Sequence, residues 1–323
     1  MNWNRISCIA FTALCILMAT SAAQADVNLA RVVTFGDSLT DNQGLLPRYT
    51  GLPSTLYGHD PMQLVFDKNA LQGNSLKNYA VAGFTSDNVG TEISLYQFNT
   101  LFGFEPKGTL IQLEMGGNDI LNNASLLANH APGTYAQADR VINSLIRNWR
   151  NYAVDLEGTS RPDVKAVMWT IPDITLTPRY WQQLNQQQQA NVRAHTQRAN
   201  AFIRSFGRFN NVLVLDIYSI LADFVNNPPQ IGNITLNGPP AHGETSDMFA
   251  DEIHPTAVSN ALIANELIMQ MNLRWNANFE LYSENELLDF ALNGGWRIPA
   301  PGTATLLLIG GVFAAGPMRR RVA

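Results

Sequence analysis

A serine hydroxyl is a weak nucleophile and gains strength only beside a base. Ser38 stands in Phe35-Gly36-Asp37-Ser38-Leu39-Thr40-Asp41-Asn42, directly after an apolar run, and the chain holds five histidines that could serve it. His254 fits best. It follows Asp251-Glu252-Ile253, so Asp251 can reach back and hold the ring in the tautomer a general base requires. The other four fit less well. His195 falls in a polar helical pattern and reads as a surface residue. His59 and His130 lie in loops with no carboxylate three residues before them, and His242 follows Pro239-Pro240 as a loop residue. Attack on a carbonyl also needs donors aimed at the oxyanion that develops. Asn118 in Gly116-Gly117-Asn118-Asp119 follows a strand end, and Gly83 closes Asn78-Tyr79-Ala80-Val81-Ala82-Gly83, where a bare glycine N–H can approach closely. Each signal has a plainer reading. Ser38 or Thr40 could cap a helix, and Asn118 and Gly83 could be ordinary turn residues. Four such signals in order, each beside a strand end or helix start, point together to a hydrolase.

The remaining carboxylates read more simply. Asp37 serves the turn beside Ser38, Glu114 is structural, and Asp216 ends a strand where it could imitate a triad acid. No histidine or carboxylate spacing matches a zinc, calcium or phosphate-loop motif, so neither metal nor cofactor is expected. The Gly-x-Ser-x-Gly elbow of another serine hydrolase class is absent.

Four apolar runs can carry these residues: Val32 to Phe35, Thr109 to Leu113, Val164 to Ile171 and Val212 to Leu215. Continuous runs of that length suit strands buried on both faces. Helical patterns lie between them. Thr134 and Gln137 form a capping box ahead of Ile142, Leu145, Trp149, Tyr152 and Leu156. A second helix is predicted over Pro178 to Phe206, with Val192, Ala199, Ile203 and Phe206 on one stripe and a solvated glutamine-rich face, and a third from near Pro255 to Met271. Alternating strands and helices predict an α/β sandwich around a mainly parallel sheet.

The ends of the 323-residue chain differ from its body. Residues 1–25 read as a signal peptide: Arg5, an apolar stretch from Ile6 to Ala19, then Ala23-Gln24-Ala25. Cys8 and Cys15, the two cysteines, both lie there, so an exported mature chain has no disulfide. At the other end Pro299-Ala300-Pro301-Gly302 precedes an apolar stretch and Arg319-Arg320-Arg321. The stretch is short for an independent span, and the arginines would stay on the cytoplasmic side. This layout resembles PEP-CTERM sorting signals, with Ala300 where the pattern usually has Glu; a plain tail anchor is the alternative. The expected organisation is a hydrolase domain over 26–280, a linker over 281–298 and a sorting tail over 299–323. Hydrophobic residues make up 46% and the formal net charge is −5. Setting aside the four terminal arginines makes the body more negative still, which argues against a nucleic-acid partner.

The motifs as a set resemble the GDSL or SGNH hydrolase family, including its lipases and esterases, over roughly Arg31 to Met271. The matching blocks are Phe35 to Asn42, Asn78 to Gly83, Gly116 to Asp119 and Asp251 to His254. The resemblance implies Ser38 as nucleophile, His254 as base and Asp251 as its orienting acid. It implies an oxyanion hole formed by the Ser38 and Gly83 amides and the Asn118 side chain, on a three-layer α/β/α fold. Gln43-Gly44 departs from the Gly-Asn of many relatives. The expected activity is hydrolysis of a small-molecule or lipid acyl ester through an acyl-enzyme. Acyl transfer on the same residues and a non-enzymatic surface or matrix protein are the alternatives. A sorting protease acting on the tail is an expected partner. Pro47, Tyr49, Leu52, Leu56 and Tyr57, in the loop residues between Leu45 and Leu76, hint at an apolar lining of the acyl pocket, with ordinary loop packing as the equal alternative.

Overall fold

The computed structural model describes residues 27–41, 54–159 and 164–294. The predicted signal segment and sorting tail lie outside them, as do Pro47, Tyr49 and Leu52. Strand β1 (Arg31–Phe35) is followed by helices α1 (Ser54–Tyr57) and α2 (Pro61–Asn69), then by β2 (Ser75–Asn78), α3 (Ser86–Leu101) and β3 (Leu110–Leu113). Next come α4 (Gly117–Asn122), α5 (Ala124–Asn129), α6 (Ala136–Thr159) and β4 (Lys165–Trp169). The chain continues through α7 (Pro178–Trp181), α8 (Gln186–Arg204), β5 (Val212–Leu215) and α9 (Ile217–Asn226). A small hairpin of β6 (Gln230–Ile231) and β7 (Ile234–Thr235), then α10 (Ala257–Trp275) and α11 (Glu284–Asn293), complete it.

The five main strands are all parallel, in the order β2-β1-β3-β4-β5. Side chains alternate across a strand, and the two sheet faces sort accordingly. Val32, Leu110, Val167 and Leu213 join one core with residues of α2, α10 and α11. Val33, Ile111, Met168 and Val212 join the other with residues of α3, α6 and α8. This is the expected three-layer α/β/α sandwich. The strand order turns back between β1 and β3, and in open parallel sheets ligands bind at such a switch point, beyond the carboxyl ends of the strands. Ser38 follows β1 and Asn118 follows β3, so the fold puts both at that crevice.

Several elements depart from the sequence reading. Strand β2 is polar (Ser-Leu-Lys-Asn) because it is an edge strand with a partly exposed face, and it carries no apolar signal. Helix α6 begins at Ala136, and the Thr134 hydroxyl donates to Ala131 O at 2.7 Å inside the preceding turn rather than capping a helix. The helix predicted over Pro178 to Phe206 is interrupted, and Asn185 starts α8 with a capping box closed by Gln188. His195 is fully buried, not at the surface; its Nε2 donates to His130 O at 2.8 Å. Residues 281–294 of the segment expected to be a linker are described. Ser283 and Glu286 form a capping box that starts α11, and Tyr282, Phe290 and Ala291 bury their side chains in the core beside α10.

Candidate active site

Ser38 sits in a single tight turn. Thr40 N and Asp41 N both donate to Asp37 O, at 3.1 and 3.0 Å, and Leu39 N donates to Asp37 Oδ1 at 3.1 Å. A side chain on Gly36 would press within 2.8 Å of Glu114 Oε2 and 2.9 Å of Glu114 O, so a glycine is required for β1 to pass β3 here.

His254 reaches Ser38 from a turn that is closed at both ends. Ala250 N donates to His254 O at 2.8 Å, and Thr256 caps α10 while its hydroxyl donates to Asp247 O at 2.7 Å. Within the turn, Asp251 Oδ1 accepts the amides of Ile253 and His254, each at 2.7 Å. His254 Nδ1 lies 2.7 Å from Asp251 Oδ2, and Nε2 lies 2.9 Å from Ser38 Oγ. With Nδ1–H donating to the carboxylate, Nε2 carries the lone pair that faces the serine hydroxyl. Burial pushes the Asp251 carboxyl up, but the hydrogen bonds and charge of His254 and the two amides outweigh it and hold the carboxyl at about 2. Asp251 is therefore ionised throughout the neutral range. Its Oδ2 also accepts the Tyr57 hydroxyl at 3.1 Å, and the Tyr57 ring meets the His254 ring edge-on at 6.1 Å. Tyr57, placed by sequence among apolar pocket residues, instead supports the carboxylate. No local signal marks it, because the contact spans 194 residues of chain.

The predicted oxyanion donors surround the same turn. Gly83 has φ +85° in a four-residue turn closed by Phe84 N donating to Val81 O at 3.1 Å, and its Cβ position is open for 4 Å around. Backbone conformation, not crowding, is what calls for glycine there. Among the described residues the amides of Ser38 and Gly83 have no acceptor. Asn118 Nδ2 donates to Phe84 O at 2.9 Å and to Asp37 Oδ2 at 3.2 Å, so both of its hydrogens are engaged in the resting structure. Next to it, Asp119 accepts the Ser86 amide and hydroxyl, each at 2.7 Å, which fixes the start of α3 just after the Gly83 turn.

Beneath the turn lies a layer of buried carboxyls that sequence reading left aside, apart from Asp37 and a structural Glu114. Glu114 Oε2 accepts the Asp37 amide at 3.1 Å and the Thr40 hydroxyl at 3.4 Å. Burial and the neighbouring Asp37 charge raise Glu114 well above the usual carboxyl range, and burial raises Asp37 as well. Glu92, from α3, accepts the Gly36 amide at 2.9 Å, and the Val81 amide lies close by. Burial, with the charges of Asp37 and Asp41, pushes Glu92 up to about 9. On the other side Asp41 accepts the Ala82 amide at 3.1 Å. The loops that present the Ser38 and Gly83 amides are thus tied to each other through Glu92 and Asp41.

The other candidates are occupied elsewhere. Asp216 pairs with Arg204 at 2.9 Å and accepts Thr170 and Ser219, and His59 pairs with Asp67 at 2.9 Å.

Comparison with known proteins agrees with this architecture. No curated protein matches the chain. A variant of an acetyl-xylooligosaccharide esterase from Geobacillus stearothermophilus aligns over 80% of this chain and 99% of its own, with 13% identity and a TM-score of 0.50. A lipase from a goat rumen metagenome aligns over 74% of this chain and 96% of its own, with 13% identity and a TM-score of 0.49. At such identity the first of these likenesses shows the fold alone. The family model of GDSL-like lipases and acylhydrolases matches residues 32–267, which include Ser38, Gly83, Asn118, Asp251 and His254. The chain belongs to the GDSL-like lipase/acylhydrolase family, a family of carboxylic ester hydrolases.

Proposed function

We propose that this protein is an exported serine esterase that works through an acyl-enzyme, with Ser38 as nucleophile, His254 as base and Asp251 as the acid that orients it. The observation that carries the reading is the unbroken relay from Ser38 Oγ to His254 Nε2 at 2.9 Å and from Nδ1 to Asp251 at 2.7 Å, set beside two amides with no other acceptor among the described residues.

In this mechanism His254 Nε2 takes the hydroxyl proton as Ser38 Oγ attacks the ester carbonyl carbon. The carbonyl oxygen becomes an oxyanion held by the Ser38 and Gly83 amides. Asn118 turns one hydrogen to it by giving up its longer bond, that to Asp37. Collapse of the tetrahedral intermediate expels the alcohol, which takes the proton from His254, and leaves an ester on Ser38. Water, deprotonated by His254, then releases the acid. Asp251, ionised at neutral pH, stabilises the imidazolium in both halves of the cycle.

For localisation, the reading is export directed by residues 1–25, with 299–323 as a sorting or anchoring tail open to a sorting protease. It rests on the sequence pattern of these ends.

A fluorophosphonate probe with adduct mapping tests the mechanism without knowledge of the substrate. Labelling of Ser38 in the wild type, lost in His254→Ala, is the expected result. A folded protein that leaves Ser38 unlabelled contradicts it.

A further inference from the structure

Beside Ser38 a cavity opens between the carboxyl ends of β4 and β5 and the turn that carries His254. Trp169, Ile174, Ile217, Leu221, Phe249 and Ile263 line it, and all but Leu221 are buried. Ser38, Leu39 and Asn118 stand on its wall, whereas Gly83 does not. A carbonyl carbon bonded to Ser38 Oγ, with its oxygen toward the Gly83 amide and its leaving oxygen toward His254, has one substituent left to place. That substituent is the acyl chain, and the cavity is the space available to it.

The polar groups on the wall are already engaged within the protein. Trp169 Nε1 donates to Gln112 Oε1 at 3.1 Å, the Thr177 hydroxyl to Ile174 O at 2.7 Å, and the Asn260 amide to Tyr57 O at 3.1 Å. A sugar hydroxyl placed here would lose its water and meet no donor held for it, which disfavours it. A methylene chain loses nothing and gains the apolar wall. An acetyl group presents a single methyl to a wall of six apolar side chains.

We propose that this cavity is the acyl-chain site and that the substrates are esters of apolar fatty acids rather than acetylated sugars. The proposal rests on the esterase reading above. Its test is kcat/KM across p-nitrophenyl acetate, butyrate, hexanoate and octanoate, beside a series of n-alkyl acetates, an acetylated xylooligosaccharide and fluorophosphonate labelling of the same protein. The expected result is a rise of about fourfold per acyl methylene while the chain stays in the cavity, a flat response to the alkyl chain of the alcohol, and little turnover of the acetylated sugar. Leu221→Trp and the milder Leu221→Phe, which fill the cavity, should lower the octanoate-to-acetate ratio by about tenfold or more, the loss of at least two buried methylenes. A flat acyl profile, or one that rises only with the alcohol chain, from a protein labelled at Ser38 overturns the acyl-site assignment and leaves the esterase standing. Neither labelling nor turnover of any ester overturns both.

Discussion

Asp251 gathers four hydrogen bonds from three residues: two amides in its own turn, the His254 ring and the Tyr57 hydroxyl. Asp251→Asn presents an amide where the ring needs an acceptor. The wrong tautomer then faces Ser38, and kcat should fall by about 10⁴ with little change in KM. Tyr57→Phe removes one donor from an otherwise well-served carboxylate. A net hydrogen bond is worth about 1 kcal/mol, or about fivefold, so kcat should fall by about that factor. Steady-state rates on any turned-over ester check both, and a Tyr57→Phe loss as deep as that of Asp251→Asn would mean Tyr57 touches the reacting atoms. Gly83→Ala tests the oxyanion hole. The site is open, but φ +85° costs an alanine about 1–2 kcal/mol, and any relief of that strain swings the amide away. A lost donor costs about 10²–10³ in kcat, with thermal melts separating this from unfolding. Ser38, Asp251 and His254 announce themselves by residue type and spacing, because the Asp-x-x-His turn is local. Tyr57 and the engagement of Asn118 with Asp37 and Phe84 arise from folding and leave no local trace.

The elements under the site set its rigidity, and α3 does so through Glu92. Glu92 is 4% exposed, and its carboxyl joins the Gly36 strand end to the neighbourhood of Val81, two residues before Gly83. In the folded protein Glu92 keeps its proton up to about 9, against an ordinary value of 4.5. Between those values unfolding releases a proton, so the stabilising share of Glu92 is complete below pH 4.5 and is lost as pH rises toward 9. Gln keeps the shape and the acceptor but does not titrate. Melting temperatures of Glu92→Gln should therefore gain on the wild type by roughly 5–10 °C between pH 5.5 and 8. Parallel wild-type and variant curves would show that Glu92 is ionised in the fold. The sequence did not single out α3 or β2. Helix α3 presents a mixed surface, with Glu92 itself among its buried residues, and β2 is a short polar edge. Strands buried on both faces were legible because burial selects mostly apolar residues for them, whereas elements that mix polar function with packing show no clear period.

At the scale of the whole molecule the question is where the folded body ends. The sequence places the end of the hydrolase domain at residue 280 and reads Asn272 to Ile298 as a closing segment plus a linker to the tail. The Ser283-x-x-Glu286 start signal was present but lay outside the part of the chain that the family resemblance covered. In three dimensions α11 closes the sheet face that packs α2 and α10. Tyr282 donates to Leu64 O at 2.9 Å and stacks edge-on with Phe290, and Lys68 of α2 reaches Glu286 at 2.7 Å. The Lys68–Glu286 pair is partly exposed and adds little by itself. Burial of Tyr282 and Phe290 is the larger effect, at about 1.5–3 kcal/mol for each side chain. A chain ended after residue 280 should accordingly lose about 3–6 kcal/mol of unfolding free energy, read from urea melts, and expose the apolar flank of α10. A chain ended after Gly294 keeps α11 with its cap, and its stability and Ser38 labelling should match those of the longer chain. Equal melts for the two truncations would show α11 to be a passive appendage, whereas the expected gap makes it a structural part of the hydrolase.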